Sequence, residues 1–380
     1  MGRRAYDHNL KEEILRASSP SPPACDPIRN RNNTRGLDAF STLCIGKRGS
    51  KMNRKLTARR IVVSALALVS SVGCWRGSPA QGQTPVAEKQ KVILDTDIGD
   101  DIDDAFALAL AVASPNLDVI GVTTAWGDTD LRARLAERFL KAAGHSNIPV
   151  AAGPKTNASS TFSQARWAQS EPARTWPDAT AFTLDAIRRN PGQITLIAIA
   201  PFSNVGALID RDAATFRKLK RVVLMGGSIH RRYGDLGYFP DRGPEPEYNV
   251  VMDVTSSRKL FASGVPIDMM PLDSTQLKFD EVMRNTVFSQ STPTTDALLS
   301  LYEEWRASTG NPTPTLFDAM AVAAAIDPGL CPTTPMHIEI DDKGFTRPAS
   351  GEPNANVCLA SDSDRFFHFY IPAILNGASQ

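Results

Sequence analysis

The sequence predicts an α/β fold with a mainly parallel, Rossmann-like open sheet that carries helices on both faces. Short apolar runs alternate with amphipathic stretches from Lys91 onward, and the runs are continuous in their apolar character. Strands covered on both faces of a parallel sheet have this character. The 380 residues include 42% hydrophobic and 22% charged residues, which is the composition of a globular protein.

The order of the elements follows from these runs. Strands are predicted at 91–94, 117–124, 148–151, 193–200, 221–225 and 266–272. Helices are predicted between them at 105–113, 131–143, 182–189 and 204–219, where apolar residues recur at helical spacing. No linker or internal repeat divides residues 85–380, so we expect one domain there.

The first eighty residues indicate targeting. Residues 1–51 are rich in Arg, Asn, Pro and Ser, and we interpret them as a disordered extension or a misassigned start upstream of Met52. In 52–80, a basic stretch precedes the apolar run 61–73 and then small residues, which is typical of a signal peptide. The 13 residues of that run are too few to span a bilayer comfortably.

Two further features of the first eighty residues are consistent with export. Ser71-Val-Gly-Cys74 resembles a lipobox, which would place a lipid anchor on Cys74, and Arg59-Arg60 fits a twin-arginine signal. We expect an exported bacterial protein, periplasmic or secreted, with or without that anchor. Export would permit a disulfide between Cys331 and Cys358, with two free thiols as an equal alternative.

The charge distribution argues against a nucleic-acid partner. Residues 1–80 carry 15 Lys and Arg against 5 Asp and Glu, so 27 basic and 36 acidic residues remain in 81–380, a net charge of −9. An acidic body repels a phosphate backbone. We expect a small-molecule substrate, no stable membrane span in the mature body, and a homo-oligomer, either a dimer or a tetramer.

Carboxylates follow the first predicted strand. Six lie within ten residues, namely Asp95, Asp97, Asp100, Asp101, Asp103 and Asp104. Ligands of open parallel sheets bind at the carboxyl ends of the strands. Like charges this close destabilise the fold unless a cation binds them, and oxygen ligands suit Ca²⁺ or Mg²⁺. Helix capping by Asp explains one or two of the six.

Two other classes of acidic motif compete for this segment. An EF-hand loop that starts at Asp95 would need Glu at its twelfth position, where Phe106 stands. A Mg²⁺-dependent phosphatase of the haloacid dehalogenase class also begins with a strand and Asp-x-Asp. Gly99 stands where Thr or Val is usual in that class. The phosphatase remains an alternative.

The segment from Asp95 to Ala105 resembles the signature of the nucleoside hydrolase family, Asp-Thr-Asp-Pro-Gly-x-Asp-Asp-Ala. It is a variant with Ile98 in place of Pro and a longer spacer before the last Asp pair. Six further segments resemble family motifs in the same order: 122–128, 198–204, 222–227, 247–253, 264–275 and 317–322. The resemblance covers about 90–330 and points to the inosine/uridine-preferring, Ca²⁺-dependent N-ribohydrolase type.

The resemblance implies that a Ca²⁺-bound water hydrolyses the N-glycosidic bond of ribonucleosides, with Asp97 as general base. The implied metal ligands are Asp97, Asp104, the carbonyl of Ile199 and Asp318. The implied substrate-binding residues are Asp103, Asp128, Met225, Glu247 and Asn249. Because the spacer is longer, it stays open which of Asp100, Asp101, Asp103 and Asp104 bind the metal.

Phe317 departs from the family pattern. Members that cleave purine nucleosides efficiently often have His there, as the acid that protonates the leaving base, and Phe has no proton to donate. His230, Tyr233 and Tyr238 follow the Met-Gly-Gly motif as candidate donors, and Trp126 is a candidate to stack on the base. A catalytically weak nucleoside- or sugar-binding protein is therefore a further alternative, and the base preference is open.

Overall fold

A nine-stranded, mostly parallel sheet forms the centre of the computed structural model, which describes residues 88–158, 161–238 and 242–376. The segments 1–51 and 52–80 and their targeting predictions lie outside these residues. The strands are β1 Gln90–Thr96, β2 Leu117–Thr124, β3 Val150–Ala152, β4 Thr195–Ala198, β5 Arg221–Met225, β6 Ile267–Met270, β7 Thr334–Ile340, β8 Thr346–Ala349 and β9 Ala355–Val357. Their order is β3-β2-β1-β4-β5-β6-β9-β7-β8, with only β7 antiparallel to its neighbours.

Twelve α-helices lie in the described part of the chain. They are α1 Asp103–Ala113, α2 Thr129–Ala142, α3 Ala165–Gln169, α4 Ala179–Arg189, α5 Ser203–Phe216, α6 Tyr248–Val251, α7 Val254–Phe261, α8 Leu272–Thr275, α9 Glu281–Phe288, α10 Pro293–Thr309, α11 Ala319–Ile326 and α12 Ser363–Asn376. A 3₁₀ turn, Pro328–Leu330, precedes β7.

Helices cover both faces of the sheet. One apolar core joins the sheet to α1, α2, α10, α11 and α12, and contains the fully buried Phe106, Phe139 and Phe366. The other joins it to α4, α5 and α7 through Leu184, Leu208 and Leu260. Burial of each such side chain contributes about 1.5–3 kcal/mol. The predicted fold class is confirmed.

The strand order reverses next to β1. The chain first builds outward to β2 and β3, and then returns to place β4 on the other side of β1. Asp95 at the end of β1 is level with Thr123 of β2 and with Ala198 of β4. A reversal of this kind leaves a crevice beyond the carboxyl ends of the two strands, where ligands bind in open α/β sheets.

The predicted element boundaries differ from the structure in two instructive places. The strand predicted at 266–272 ends at Met270, because Pro271 begins the turn into α8. The helix predicted at 204–219 is interrupted at Asp212 (φ −160°, ψ 79°), whose carboxylate accepts a hydrogen bond from the Thr215 amide as a new N-cap. Strands β7, β8 and β9 were not predicted.

The segment around these last strands contains a disulfide. Cys331 and Cys358 are bonded, with their Cα atoms 5.6 Å apart, so the paired alternative for the two cysteines is the one found. The bond ties the residue after the 3₁₀ turn to the residue after β9. Within the described ranges, no helix is both long enough and apolar enough to cross a bilayer.

Candidate active site

A cleft of about 870 Å³, including its open mouth, lies beyond the carboxyl ends of the central strands. Its walls come from the segments that follow β1, β4, β5 and β6 and from the segment before α11. The lining residues are Asp97, Asp101, Asp103, Asp104, Ile199, Met225, Tyr233, Gly234, Glu247, Tyr248, Asn249, Gln276, Lys278, Trp305, Asn311, Thr315, Phe317 and Asp318.

Three buried carboxylates meet at the inner end of the cleft. Asp103 and Asp104 occupy the first turn of α1, and Asp318 stands at the start of α11. One carboxylate oxygen from each lies within 4.8 Å of the other two. The Thr96 hydroxyl at the end of β1 donates to Asp104 and orients it. Helix N-termini favour negative charge, so both helices support this cluster.

Burial disfavours the ionised form of all three carboxyl groups. Burial raises the pKa of Asp103, Asp104 and Asp318 well above the usual range, and the neighbouring carboxylates raise it further. The carboxyl groups of Asp103 and Asp318 interact directly, and each influences the pKa of the other. A cation would stabilise all three as carboxylates. The all-oxygen donor set fits a hard divalent cation, so these residues can hold a metal.

Asp97 and Ile199 reach the same cleft. Asp97 is buried after β1, and its charge raises the pKa of Asp103, Asp104 and Asp318. Ile199 follows β4, and its amide donates to the Asp95 carbonyl at 2.8 Å. The structure thus brings together all four residues implied as metal ligands. It adds Asp103, which the resemblance assigned to the substrate, to the tightest carboxylate cluster.

The longer spacer forms a loop that is clamped by Arg132 of α2. This fully buried guanidinium pairs with Asp100 at 2.9 Å and donates to the carbonyls of Asp97 and Ile98. Burial opposes the charge on Arg132, but Asp100 and Asp97 outweigh it and raise its pKa. Asp100 is therefore engaged in holding the loop. Sequence reasoning missed Arg132, because a single Arg on an amphipathic helix normally faces solvent.

The other side of this loop packs just as closely. Gln164 donates to the Asp101 carbonyl at 2.7 Å, and Ser163 donates to the Asp100 carbonyl at 2.7 Å. Gly99 has a φ of 128°, and a Cβ there would lie 2.1 Å from the Phe162 ring. Only Gly fits at this position. The acidic loop is thus held from two sides.

Asp95 stabilises the strand ends beneath the cleft. Its carboxylate accepts hydrogen bonds from Thr123 on β2 and from Asn204 on α5, both at 2.6 Å. Burial raises its pKa to about 6, although these hydrogen bonds oppose the rise. Asp95 does not line the cleft, and its bonds tie together the strands on both sides of the strand-order reversal.

Glu247 and Asn249 form a polar wall after β5. Glu247 caps α6, and its carboxylate accepts from the amides of Gly227 and Asn249 at 2.8 and 2.9 Å. Burial raises the pKa of Glu247 to about 7 against these hydrogen bonds. The side-chain amide of Asn249 donates to the Met225 carbonyl at 3.1 Å, and Asn249 lines the cleft. Both residues, with Met225, can contact a polar ligand such as a sugar.

The adjoining wall is aromatic and mostly neutral. Phe317 packs edge-on against the Tyr233 ring, with centroids 5.7 Å apart. Sequence reasoning missed the other members of this wall, namely Gln276, Lys278, Trp305, Asn311 and Thr315. Two of them follow β6 and two precede Phe317, so the rule that ligands bind at strand ends could have indicated them.

Several predicted residues lie elsewhere. Asp128 caps α2 and pairs with Lys155, its side chain is 57% exposed, and it does not line the cleft. Trp126 is also outside the cleft, and its carbonyl accepts from Arg132 at 2.7 Å. His230 and Tyr238 are exposed. Of the three proposed proton donors, only Tyr233 reaches the cleft.

Comparison with known proteins identifies relatives of this chain. The chain is 32% identical over 200 residues to an uncharacterized protein of Schizosaccharomyces pombe, covering 49% of this chain and 62% of that relative. It is 29% identical over 308 residues to a pyrimidine-specific ribonucleoside hydrolase of Citrobacter koseri, covering 72% of this chain and 95% of the relative.

Solved structures share the fold. A plant nucleoside hydrolase superposes with a TM-score of 0.67 at 22% identity, covering 77% of this chain and 100% of that one. A purine-preferring ribonucleoside hydrolase from Gardnerella vaginalis gives a TM-score of 0.64 at 22% identity, covering 76% and 99%.

These likenesses, with an acidic cleft at the reversal of an open α/β sheet, define a hydrolase that acts on N-glycosyl compounds. The profile described as inosine-uridine preferring nucleoside hydrolase matches residues 92–368. The chain belongs to that family. The match gives no support to the phosphatase alternative.

Proposed function

We propose that the protein hydrolyses the N-glycosidic bond of ribonucleosides, with Asp97 as general base and Ca²⁺ as the bound cation. The observation that carries the proposal is the meeting of Asp97 and the three-carboxylate cluster with Glu247 and Asn249 in one cleft. Two ribonucleoside hydrolases are among the curated relatives and the solved structures, which supports this substrate class.

The carboxylates at the inner end are suited to hold the cation. Asp104, Asp318 and Asp97 would contribute carboxylate oxygens, Ile199 its carbonyl, and Asp103 either binds the metal or accepts from the sugar. When bound, a divalent cation lowers the pKa of water and stabilises negative charge. The absence of His and Cys from the described lining residues favours Ca²⁺ over zinc.

The remaining polar residues would hold the sugar. Glu247 and Asn249 would bind ribose hydroxyls, and Met225 would pack against the ring. Asp97 would accept a proton from water as that water attacks C1′. Positive charge develops on the ribose ring as the glycosidic bond breaks, and the surrounding carboxylates stabilise it.

A ribose-release assay tests this function. Purified protein is incubated with inosine, guanosine, uridine and cytidine, with p-nitrophenyl phosphate alongside, and its metal content is measured. We expect ribose release, one Ca²⁺ per chain and loss of activity after chelation. Tight nucleoside binding without ribose release would instead support a binding protein. Stoichiometric zinc, or full activity after chelation, would contradict the proposed cofactor.

The proposal includes the cellular location and the oligomeric state of the enzyme. We propose an exported protein, with a lipid anchor at Cys74 where that residue becomes the N-terminus, and a homo-oligomer of two or four chains. The Cys331–Cys358 disulfide supports export, since disulfides persist in oxidising compartments. Light scattering on the purified protein measures the oligomeric state.

A further inference from the structure

The aromatic wall of the cleft contains one cationic side chain, which has no role in the proposed reaction as described above. Lys278 is half-buried, and its ammonium donates to the Thr315 hydroxyl at 2.7 Å. It is the only Lys or Arg among the described lining residues, which also carry six carboxyl groups. A positive charge inside an acidic cleft indicates a role in binding or catalysis.

The local backbone fixes this lysine on the aromatic wall of the cleft. Residue 278 pairs with Thr315 in an isolated antiparallel bridge, directly ahead of Phe317 and Asp318. Under the proposed function, the carboxylate cluster and the wall of Glu247 and Asn249 form the sugar side of the cleft. Lys278 shares its wall with Trp305, Asn311 and Phe317, which offer a flat aromatic surface and amide groups suited to a nucleobase.

The other candidate donor in the cleft is already engaged. The Tyr233 hydroxyl donates to Glu247 at 3.3 Å and accepts from the Tyr248 amide at 3.1 Å, so it serves the sugar side. Burial raises the pKa of Tyr233 well above its usual range, which makes it a poor acid. Lys278 uses one of its three N–H groups on Thr315, and burial lowers its pKa, although Asp101 opposes this change.

We propose that Lys278 is the acid that protonates the leaving base, in place of the histidine that Phe317 replaces. This inference rests on the proposed nucleoside hydrolysis. The C1′–N bond breaks and its electron pair passes to the base, while the ammonium gives a proton to a ring nitrogen or to a ring carbonyl oxygen. The water oxygen bonds to C1′ and its proton goes to Asp97. The neutral amine then regains a proton from solvent.

Lys278→Met tests the proposal on substrates that differ in their need for an acid. A positioned acid contributes about 10²–10⁴-fold, so kcat/KM on inosine and uridine should fall by about that factor. Hydrolysis of p-nitrophenyl riboside, whose leaving group needs no proton, should change little. Lys141→Met, an exposed lysine on α2 that pairs with Glu137 and Glu171, is the matched control and should alter neither.

The pH profile supplies a readout that needs no variant. Activity on inosine should fall at alkaline pH as Lys278 loses its proton, and activity on p-nitrophenyl riboside should lack this limb. Lys278→Arg keeps a cation at this position, but a guanidinium does not release its proton in this pH range. This variant should therefore have low activity on nucleosides, and its remaining activity should not fall at alkaline pH. The charged groups that share the cleft with Lys278 are Asp101 and, farther across, Asp97, Asp103, Asp104, Asp318 and Glu247.

The outcomes separate this inference from the proposed function. Unchanged nucleoside activity in Lys278→Met, or an equal loss on both kinds of substrate, would overturn Lys278 as the acid and leave nucleoside hydrolysis intact. Identical alkaline limbs on inosine and p-nitrophenyl riboside would overturn it as well, even if Lys278→Met failed to fold. Absence of ribose release from every substrate by the unmodified enzyme would instead overturn the proposed function.

Discussion

At the residue scale, Asp97 and Asn249 have separable roles. Asp97→Asn should abolish ribose release, because the side chain loses both its basicity and its charge at the carboxylate cluster. Asn249→Ala should lower kcat by about 10²–10³-fold, the usual cost of one hydrogen bond made to a transition state. Asp118→Asn, at an exposed position on β2, is the control. Steady-state kinetics on inosine measure all three, and an active Asp97→Asn enzyme would contradict its role as base.

Glu247 makes the stability of the metal-free protein depend on pH. Its pKa rises from 4.5 to about 7 on folding, because the carboxyl is buried. Between these values the folded state keeps a proton that the unfolded state has released. Stability is therefore greatest below about pH 4.5 for this group, and falls by up to about 3 kcal/mol as pH rises through 7.

Urea unfolding from pH 5 to pH 8 measures this loss. Glu247→Gln mimics the protonated group and should make the profile shallower, while the buried carboxyl groups of Asp95 and of the three-carboxylate cluster keep their contributions. A profile that is equally steep in the variant would show that other groups dominate.

Phe317 offers a way to relocate the leaving-group acid. In Lys278→Met, the additional change Phe317→His should restore part of the lost inosine activity, because the new imidazole would sit beside the same wall. In the unmodified background the same change should do less, since Lys278 already supplies the proton. Single-turnover rates on inosine distinguish the two backgrounds, and an equal gain in both would show that the acid is absent in the natural enzyme.

At the scale of elements, α2 stabilises the acidic loop through Arg132. Arg132→Met removes the cation that pairs with the buried carboxylate of Asp100 and should destabilise the fold by about 3–5 kcal/mol. Arg188→Met removes an exposed ion pair on α4 and should have little effect. Urea midpoints compare the two variants.

The double variant Arg132→Met/Asp100→Asn tests the reason for this loss. It should be more stable than Arg132→Met, because the buried negative charge that Arg132 balances is removed together with it. Equal stability of the two would show that the carbonyl contacts of Arg132 outweigh its ion pair.

The strongly patterned elements could be predicted from sequence, and the short ones could not. Strands β1, β2 and β5 are continuous apolar runs, so their positions were predicted closely. Strand β9 has three residues, and β7, which pairs with the edge strand β8, has three exposed side chains among its seven residues. Such segments lack the apolar periodicity on which the prediction depends.

The residues of the candidate site were also predicted only in part. Residues in contiguous motifs, such as Asp104 and Asn249, were predicted and line the cleft. Asp128 was carried over from its motif, but the local sequence makes it an N-cap of α2. Lys278 and Arg132 depend on packing between distant segments, which spacing along the chain does not encode. The conformation of the longer spacer depends on the ion pair between Arg132 and Asp100, which joins α2 to the acidic loop.

At the scale of the whole molecule, the disulfide links folding to the compartment. Cys331 and Cys358 are 27 residues apart, and closing a loop of that length stabilises a protein by about 3–4 kcal/mol in the chain-entropy treatment. Protein isolated from its native host should therefore carry the bond, and Cys331→Ala/Cys358→Ala should unfold at lower urea concentration.

Processing should accompany the bond. The mature chain should begin at Cys74 or after Ala80, because a signal peptide is removed on export. N-terminal sequencing and thiol titration of the same sample check both expectations together. A chain that retains residue 1 and has two free thiols at 331 and 358 would contradict export. A processed chain with free thiols would keep export and remove the disulfide from its support.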